Sequence, residues 1–477
     1  MSALLPVIGY LILSLIISRY LGHRFSEGLH SDKAKRFFIG GRFLNGPLLA
    51  LTLVATYTSA SSFIGGPGAA YHIGLGWVWL AVIQVPVAML TLGVLGPKFI
   101  TMKEQHSTLI EWLDHRFQYP WLSRLAVLSL VVGFVAMITV QFIGGARLFS
   151  GISGISYQVG LIIFVVTVLG YTLTGGFRAV ATTDAVQGVV MLMGVLLLFI
   201  TILLQPNFSV KFTQMTHDTP LLLSPMGSDA QLGWPMMLSF WVLICFGTLG
   251  LPHTVVRLLA VKNSKALRRG ILWGTLISTV MTLVPHLCGF FGRALYPDLT
   301  VPDKIMPTLI SGLFSPWVAG IFLAAPIAAV MSSVDSMLLQ SAVTMIRDTI
   351  VKNKPTISAN KQLLFTRLAM VVITLMATWW ALKPPKMIVW LNLAAFGALQ
   401  AVFLWPVIAG LFIKSVSGQS AFFSMIAGLS VYLAIQFYGT LAYNIHPIVP
   451  ALLISILVMA LNHFRENIRR NRCELSS

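Results

Sequence analysis

Long apolar runs separated by short polar segments dominate this chain, and the pattern predicts a bundle of membrane-spanning helices. A spanning helix needs about 20 mainly apolar residues, and thirteen runs come near or exceed that length. They cover residues 3–21, 46–74, 76–96, 125–149, 157–175, 184–204, 235–255, 271–292, 317–346, 366–382, 387–413, 420–438 and 447–464. Helices are expected because an open sheet would leave backbone hydrogen bonds unsatisfied in lipid.

Lys and Arg residues are concentrated in alternate connections between these runs. If the N-terminus lies outside, 26 basic residues fall on the cytoplasmic side and 6 on the outer side. Cytoplasmic loops are enriched in Lys and Arg, so the count predicts an outer N-terminus and a cytoplasmic C-terminus. The longest outer connection, 205–234, is too short for a soluble domain. Any function is therefore expected inside the helix bundle.

Composition excludes several classes of protein. The chain has 57% hydrophobic and 10% charged residues and a net charge of +18, whereas soluble domains carry about 25% charged residues. This argues against a globular enzyme, and the scattered basic residues argue against a nucleic-acid partner. Three cysteines without metal-ligand spacing predict neither a disulfide framework nor a metal centre. We expect a lipid bilayer around the chain, no cofactor and no obligate protein partner.

Two of the apolar runs are interrupted by small and polar residues. The second contains TYTSASSFIGGPG at 56–68, and the seventh contains GTLGLP at 247–252. Five spans separate the starts of the two runs, so they enter the membrane from opposite faces. Interrupted helices in corresponding positions of two inverted halves indicate a transporter site near the membrane midplane. The alternative is close helix packing through small residues.

The ninth run places three small residues within one helical turn. Ala329, Ser332 and Ser333 can direct a carbonyl and two hydroxyls toward one point. Hard cations take oxygen ligands, and a neutral oxygen cluster suits a monovalent ion that must also leave. The alternative is that both hydroxyls bond back to carbonyls of their own helix.

These segments, with STLIEWLDHRF at 107–117, GGFRA at 175–179 and RLLAVK at 257–262, resemble the sodium:solute symporter family over nearly the whole chain. The resemblance implies an all-α membrane protein with a leucine-transporter-type fold of two inverted five-helix repeats. Its parts would be a first span and cytoplasmic loop, repeat 1, an outer loop, repeat 2, and two further spans with a cytoplasmic tail. Their boundaries are 1–45, 46–204, 205–234, 235–413 and 414–477.

The resemblance also implies a function. Longer matching stretches, including ATYTSASSFIGGPGAAY at 55–71 and SFWVLICFGTLGLPH at 239–253, imply sodium-driven import of pantothenate by alternating access across the bacterial inner membrane. Another small solute, such as proline, a monocarboxylate or a sugar, is the main alternative. A channel would need a continuous polar pore, and an enzyme would need converging catalytic groups, which the chain does not suggest.

The same resemblance implies which residues hold sodium. Its site would be formed by the backbone carbonyls of Ala55 and Thr58 in the interrupted second run, together with Ala329, Ser332 and Ser333. Asp184 matches an acidic residue that attracts sodium as it leaves toward the cytoplasm. Its alternative is a solvated carboxylate at a helix N-terminus.

Asp335 departs from the family pattern, which has a small or amide residue at this position. A carboxylate inside a membrane is a functional hypothesis by default. It would draw a cation toward the site, or it would titrate so that protons join the transport cycle. The alternative is an ion pair with a basic residue near the inner surface.

Pantothenate carries a carboxylate, two hydroxyls and an amide, so its pocket needs hydrogen-bond partners and an apolar wall. The candidate substrate residues are Ser61, Ser62, Gly65, Gln84, Gln141, Arg147, Trp241 and Thr248. Arg147 either pairs with the carboxylate or extends to the membrane interface. His253 and His286 are isolated in the sequence and are interpreted as packing residues. Spans 2, 3, 7 and 8 are expected to form a core that rocks against the other spans.

Overall fold

Helices form almost all of the regular structure. The computed structural model describes residues 4–26, 37–38, 41–101, 106–174, 176–228, 232–248, 251–354, 356–439 and 441–474, and these contain one isolated β-bridge, Leu44 to Val261, but no strand. The helices are α1 (Leu4–Ser26), α2 (Gly46–Tyr57), α3 (Gly66–Ile73), α4 (Leu75–Ile100), α5 (Leu109–Phe117), α6 (Pro120–Ser153), α7 (Tyr157–Thr174), α8 (Phe177–Leu203), α9 (Phe208–Asp218), α10 (Trp234–Gly247), α11 (Pro252–Leu259), α12 (Ser264–Leu295), α13 (Ile305–Leu313), α14 (Pro316–Phe322), α15 (Ala324–Met345), α16 (Ala359–Ala381), α17 (Ile388–Phe412), α18 (Gly418–Tyr438) and α19 (Ile448–Glu474). The predicted all-α class is confirmed.

The apolar runs of the sequence coincide with these helices. Among the described residues, eleven helical segments are long and apolar enough to cross a membrane, and the bent pair of α2 and α3 makes a twelfth. The remaining run corresponds to the shorter apolar helix Tyr157–Leu173. The number of crossings and the orientation of the termini stay predictions.

Many large apolar side chains lie on the outside of the bundle. Trp379 is 74% exposed, and Leu375 and Val166 are each 64% exposed. Exposed apolar surface on this scale marks contact with a membrane or a partner. It fits the lipid environment that the composition predicts.

Short polar residues fix the starts of several helices. Asn45 accepts a hydrogen bond from the Leu48 amide at 3.0 Å at the start of α2, and Asn263 accepts one from Ala266 at 2.9 Å at the start of α12. Asn, Ser and Thr are preferred at this position because they satisfy amides that have no partner in the first helical turn. These caps place α2 and α12, which pack along each other.

Two groups of helices meet at the centre of the molecule. Helices α2, α3, α4, α10, α11 and α12 pack mainly with one another and correspond to the predicted core of spans 2, 3, 7 and 8. Helix α15 packs against α6, α7, α8 and α16, and it also contacts α2 and α11. Both interrupted helices therefore lie beside α15.

Candidate functional site

The second apolar run is a broken helix. Helix α2 ends at Tyr57, a π-helical turn occupies Ser61–Gly65, and the two halves are bent by 62°. Side chains satisfy the amides that a continuous helix would bond to its own carbonyls. The amides of Ser59, Ala60 and Ser61 bond to Ser62 Oγ at 3.3 Å, Gln141 Oε1 at 2.7 Å and Ser59 Oγ at 3.2 Å. The hydroxyl-rich sequence therefore frees the last carbonyls of α2.

The five predicted sodium residues converge at this break. Ser332 Oγ donates to the carbonyls of Ala55 at 2.9 Å and Ala329 at 3.1 Å, and Ser333 Oγ donates to the Thr58 carbonyl at 3.0 Å. All five residues are buried. Three carbonyls and two hydroxyls thus meet without a formal charge, which is a donor set that suits a hard monovalent cation. Ser332 also bonds to a carbonyl of its own helix, α15. The alternative that the hydroxyls bond back to their own helix therefore describes one of its two hydrogen bonds.

Asp184 lies in a fully buried ion pair rather than at a solvated helix end. Its Oδ2 accepts hydrogen bonds from Thr52 Oγ1 at 2.9 Å and from Arg257 Nη2 at 2.7 Å, and Asp184 has no exposed surface. The solvated alternative is therefore wrong. Arg257, which we counted with the cytoplasmic loops, belongs to α11 and is 1% exposed. It also donates to Ser336 Oγ at 2.8 Å, and so it connects α11 with α15.

Asp335 is buried beside this pair. Its Oδ2 accepts from the hydroxyl of Tyr171, and its Oδ1 accepts from Ser336 Oγ at 3.3 Å. In the described part of the chain no basic side chain pairs with it, since Arg257 bonds to Asp184 instead. The suggested ion pair near the inner surface is therefore not seen, and Asp335 lies within one helical turn of Ser332.

Asp335→Asn is expected to raise the sodium concentration that gives half-maximal uptake about tenfold. When Asp335 is ionised, its charge one turn from the oxygen cluster lowers the energy of a bound cation, and its removal costs roughly 1 to 2 kcal/mol at the effective dielectric of a protein site. The amide keeps one oxygen to accept a hydrogen bond from Tyr171 or Ser336. The measurement is uptake into vesicles as a function of sodium concentration, and an unchanged half-saturation would contradict a cation-attracting role.

A central cavity adjoins the oxygen cluster. It lies between the break after α2, α4, α6, α10, α11, α12, α15 and α17, and Ser333 lines both the cavity and the cluster. Four of the predicted substrate residues line it, namely Ser61, Ser62, Gln84 and Gln141. A ligand in this cavity would therefore lie next to an ion held by the cluster.

The other four predicted substrate residues lie outside this lining. Gly65 lies against Ile388 and Val389, which leave no room for a side chain there without a shift. Trp241 lies behind the wall, where its Nε1 donates to the Leu80 carbonyl at 3.3 Å. Thr248 is fully buried next to the second break, of which Leu249 and Gly250 lie outside the described residues.

Arg147 is occupied elsewhere. It pairs with Asp303 and donates to the Pro385 carbonyl, and it lines a separate cavity closer to the predicted outer side. The structure does not bring it together with Ser61, Ser62, Gln84 and Gln141.

Several residues without a predicted role in binding also line the central cavity. They include Tyr57, Trp77, His253, His286, Asn392 and Phe396. The sequence predicts packing roles for the two histidines, and the structure shows that both also face this space. His286 packs closely on the broken helix, because a methyl group at Gly66 would overlap its imidazole ring.

Unsatisfied polar atoms give this cavity its binding capacity. Within the described residues, Trp77 Nε1, Gln84 Oε1, Gln141 Nε2 and Asn392 Oδ1 are buried and have no hydrogen-bond partner. Buried polar groups in proteins are normally paired. Donors and acceptors without partners around this cavity therefore indicate where a polar ligand would bind.

Comparison with known proteins supports the same interpretation. The profile of the sodium:solute symporter family matches residues 37–428. The chain is 44% identical over 465 residues to the sodium/pantothenate symporter of Escherichia coli K12, covering 96% of this chain and 95% of that protein. It is also 44% identical over 431 residues to the sodium/pantothenate symporter of Haemophilus influenzae, covering 89% of each.

A solved structure shows the same fold. The Na⁺-coupled sialic acid symporter in a substrate-bound, outward-open state superposes with a TM-score of 0.78 and 20% identity, covering 97% of this chain and 98% of that one. At this identity the likeness concerns the fold. The leucine-transporter-type fold implied by the sequence resemblance is thereby confirmed.

Proposed function

Because this chain belongs to the sodium:solute symporter family, we propose that it is a multi-pass transporter that imports pantothenate with sodium across the bacterial inner membrane. Pantothenate is the substrate in the names of its relatives at 44% identity. The observation that carries the proposal is the buried oxygen cluster between the broken helix and α15, which shares Ser333 with the central cavity.

Sodium would be held by the carbonyls of Ala55, Thr58 and Ala329 and by the hydroxyls of Ser332 and Ser333. To bind a cation, both hydroxyls turn their protons away from the carbonyls to which they now donate. The ion then joins α2 to α15 directly. Because it fixes the broken helix that also lines the cavity, sodium and substrate raise each other's affinity.

The substrate would bind in the central cavity. Leu80, Met137 and Phe396 provide apolar surface for its dimethyl carbon, and Gln141 Nε2 and Trp77 Nε1 are unpaired donors for its oxygens. None of the described residues that line this cavity is Lys or Arg. The carboxylate would therefore be neutralised by the neighbouring sodium ion, which makes transport of one depend on the other.

Alternating access follows from the size and position of the cavity. It holds about 120 Å³, less than the roughly 300 Å³ of a typical ligand pocket. The helices around it must separate to admit pantothenate. We infer that α2, α3, α4, α10, α11 and α12 move together against α15 and its neighbours, because the two groups meet at the oxygen cluster.

Uptake of radiolabelled pantothenate into vesicles that contain the purified protein tests the proposal. An inward sodium gradient is expected to drive accumulation at least tenfold above that with equal sodium on both sides or with potassium replacing sodium. Accumulation without regard to sodium would contradict the coupling. Sodium-driven uptake of proline or another solute, with none of pantothenate, would preserve sodium symport and contradict the substrate.

A further inference from the structure

Three of the few basic residues predicted to face outside line one cavity. Arg147, Lys304 and Lys386 are half of the six Lys and Arg residues assigned to the outer side, and they surround a cavity of about 640 Å³. This volume lies in the range of small-molecule pockets. None of the described residues that line it is acidic, and Ser150, Tyr157 and Thr308 add hydroxyl groups.

Arg147 lines this outer cavity and pairs with an acid that is not part of the lining. Its guanidinium donates to Asp303 Oδ2 and to the Pro385 carbonyl, while Asp303 Oδ2 also accepts from the Ile388 amide at 2.9 Å. Asp303 is fully buried, and its Oδ1 has no hydrogen-bond partner in the described part of the chain.

The Arg147–Asp303 pair bonds to the short segment that links the linings of the outer and central cavities. Pro385 lines the outer cavity, and Val389, only four residues later, lines the central cavity. Asp303 packs directly against Gly68 of α3, in the second half of the broken helix. A ligand that passes along this segment would therefore meet this pair.

The pair is suited to exchange of its anion. Burial raises the pKa of the Asp303 carboxyl to about 6, although Arg147 acts in the opposite direction. Burial thus destabilises the charged form of Asp303 more than Arg147 stabilises it. Arg147 bonds to Asp303 through Nη1 alone, because its Nη2 donates to the Pro385 carbonyl. Arginine can bind a carboxylate through two parallel hydrogen bonds, so a carboxylate arriving from solvent that replaces both partners would gain a second bond.

We propose that the outer cavity is a capture site for a carboxylate ligand, which Lys304 and Lys386 attract and Arg147 binds in exchange for Asp303. The inference rests on the proposed function, since pantothenate is the carboxylate that would be captured. Basic residues around a concave site raise the local concentration of an anion. The exchange also loosens the contact of Asp303 with α3, so arrival of the substrate would open the way to the central cavity.

The test is the double variant Lys304→Gln/Lys386→Gln, assayed by pantothenate uptake at fixed sodium and varied ionic strength. We expect a threefold to tenfold higher KM at low ionic strength, with unchanged kcat and sodium half-saturation. Salt screens exposed charges, so the difference should shrink at high ionic strength. Lys211→Gln is the matched control, because Lys211 is an exposed lysine on α9 that does not line the outer cavity.

Charge specificity gives a second readout. The neutral alcohol analogue of pantothenate should inhibit pantothenate uptake with the same inhibition constant in the wild type and the double variant, because the analogue lacks the carboxylate that the lysines attract. An unchanged KM for pantothenate, or the same rise in Lys211→Gln, would overturn the capture site. Failure of the wild type to accumulate pantothenate under a sodium gradient would instead refute the proposed function, so the two failures are distinguishable.

Discussion

Ser332→Ala is expected to raise the sodium concentration for half-maximal uptake by tenfold or more. The hydroxyl reaches the Ala55 carbonyl at 2.9 Å and the Ala329 carbonyl at 3.1 Å, so it connects the end of α2 to α15. Interactions of a charged group with one such oxygen contribute roughly 1.5 to 3 kcal/mol, and about 1.4 kcal/mol is tenfold in affinity. Sodium titration of pantothenate uptake in reconstituted vesicles measures the change.

Ser341→Ala provides the matched control for this prediction. Ser341 is fully buried on the same helix, and its hydroxyl donates to the Met337 carbonyl at 2.7 Å within α15. Loss of that bond should leave the sodium half-saturation unchanged. Normal sodium dependence in Ser332→Ala, or an equal shift in Ser341→Ala, would refute the assignment of the oxygen cluster to sodium.

The helices and the breaks were accessible from the sequence because lipid imposes strict rules on the backbone. Apolar length predicts the spans, and a hydroxyl-rich, glycine-rich interruption predicts a break. The contact between the second and ninth runs could not be predicted from such local patterns. Ala55 and Ser332 are 277 residues apart, so only the family resemblance could place them at one site.

Most of the residues whose positions could not be predicted from the sequence have their side-chain partners on other helices. Arg257 was assigned to the cytoplasm because it lies near the end of an apolar run, yet it bonds to Asp184, 73 residues away. Arg147 was considered for the substrate, but a buried acid 156 residues away already pairs with it. The orientation of His286 toward the central cavity likewise depends on how α12 packs against its neighbours. No local sequence pattern encodes that orientation.

Arg257→Gln is expected to reduce sodium-driven uptake by more than tenfold and to lower thermal stability. The guanidinium donates to Asp184, Thr52 and Ser336, and Arg257 is 1% exposed. Removing one partner of a buried ion pair costs about 3 to 5 kcal/mol, because the remaining charge stays buried without compensation. Arg257→Lys should recover only part of the activity, since an ammonium cannot reproduce the spread of these bonds.

The double variant Arg257→Gln/Asp184→Asn separates the structural part of this loss from the functional part. With both charges removed, no uncompensated charge remains, so the unfolding temperature should return toward that of the wild type. Uptake should stay low, because Arg257 lies on α11 and its partners Asp184 and Ser336 lie on α8 and α15. These bonds cross the boundary between the two helix groups that we infer to move. They are therefore expected to break and form again during each transport cycle. Full recovery of uptake together with stability would show that the pair only supports the fold. Equal unfolding temperatures for the single and double variants would show that Asp184 and Arg257 are not energetically coupled.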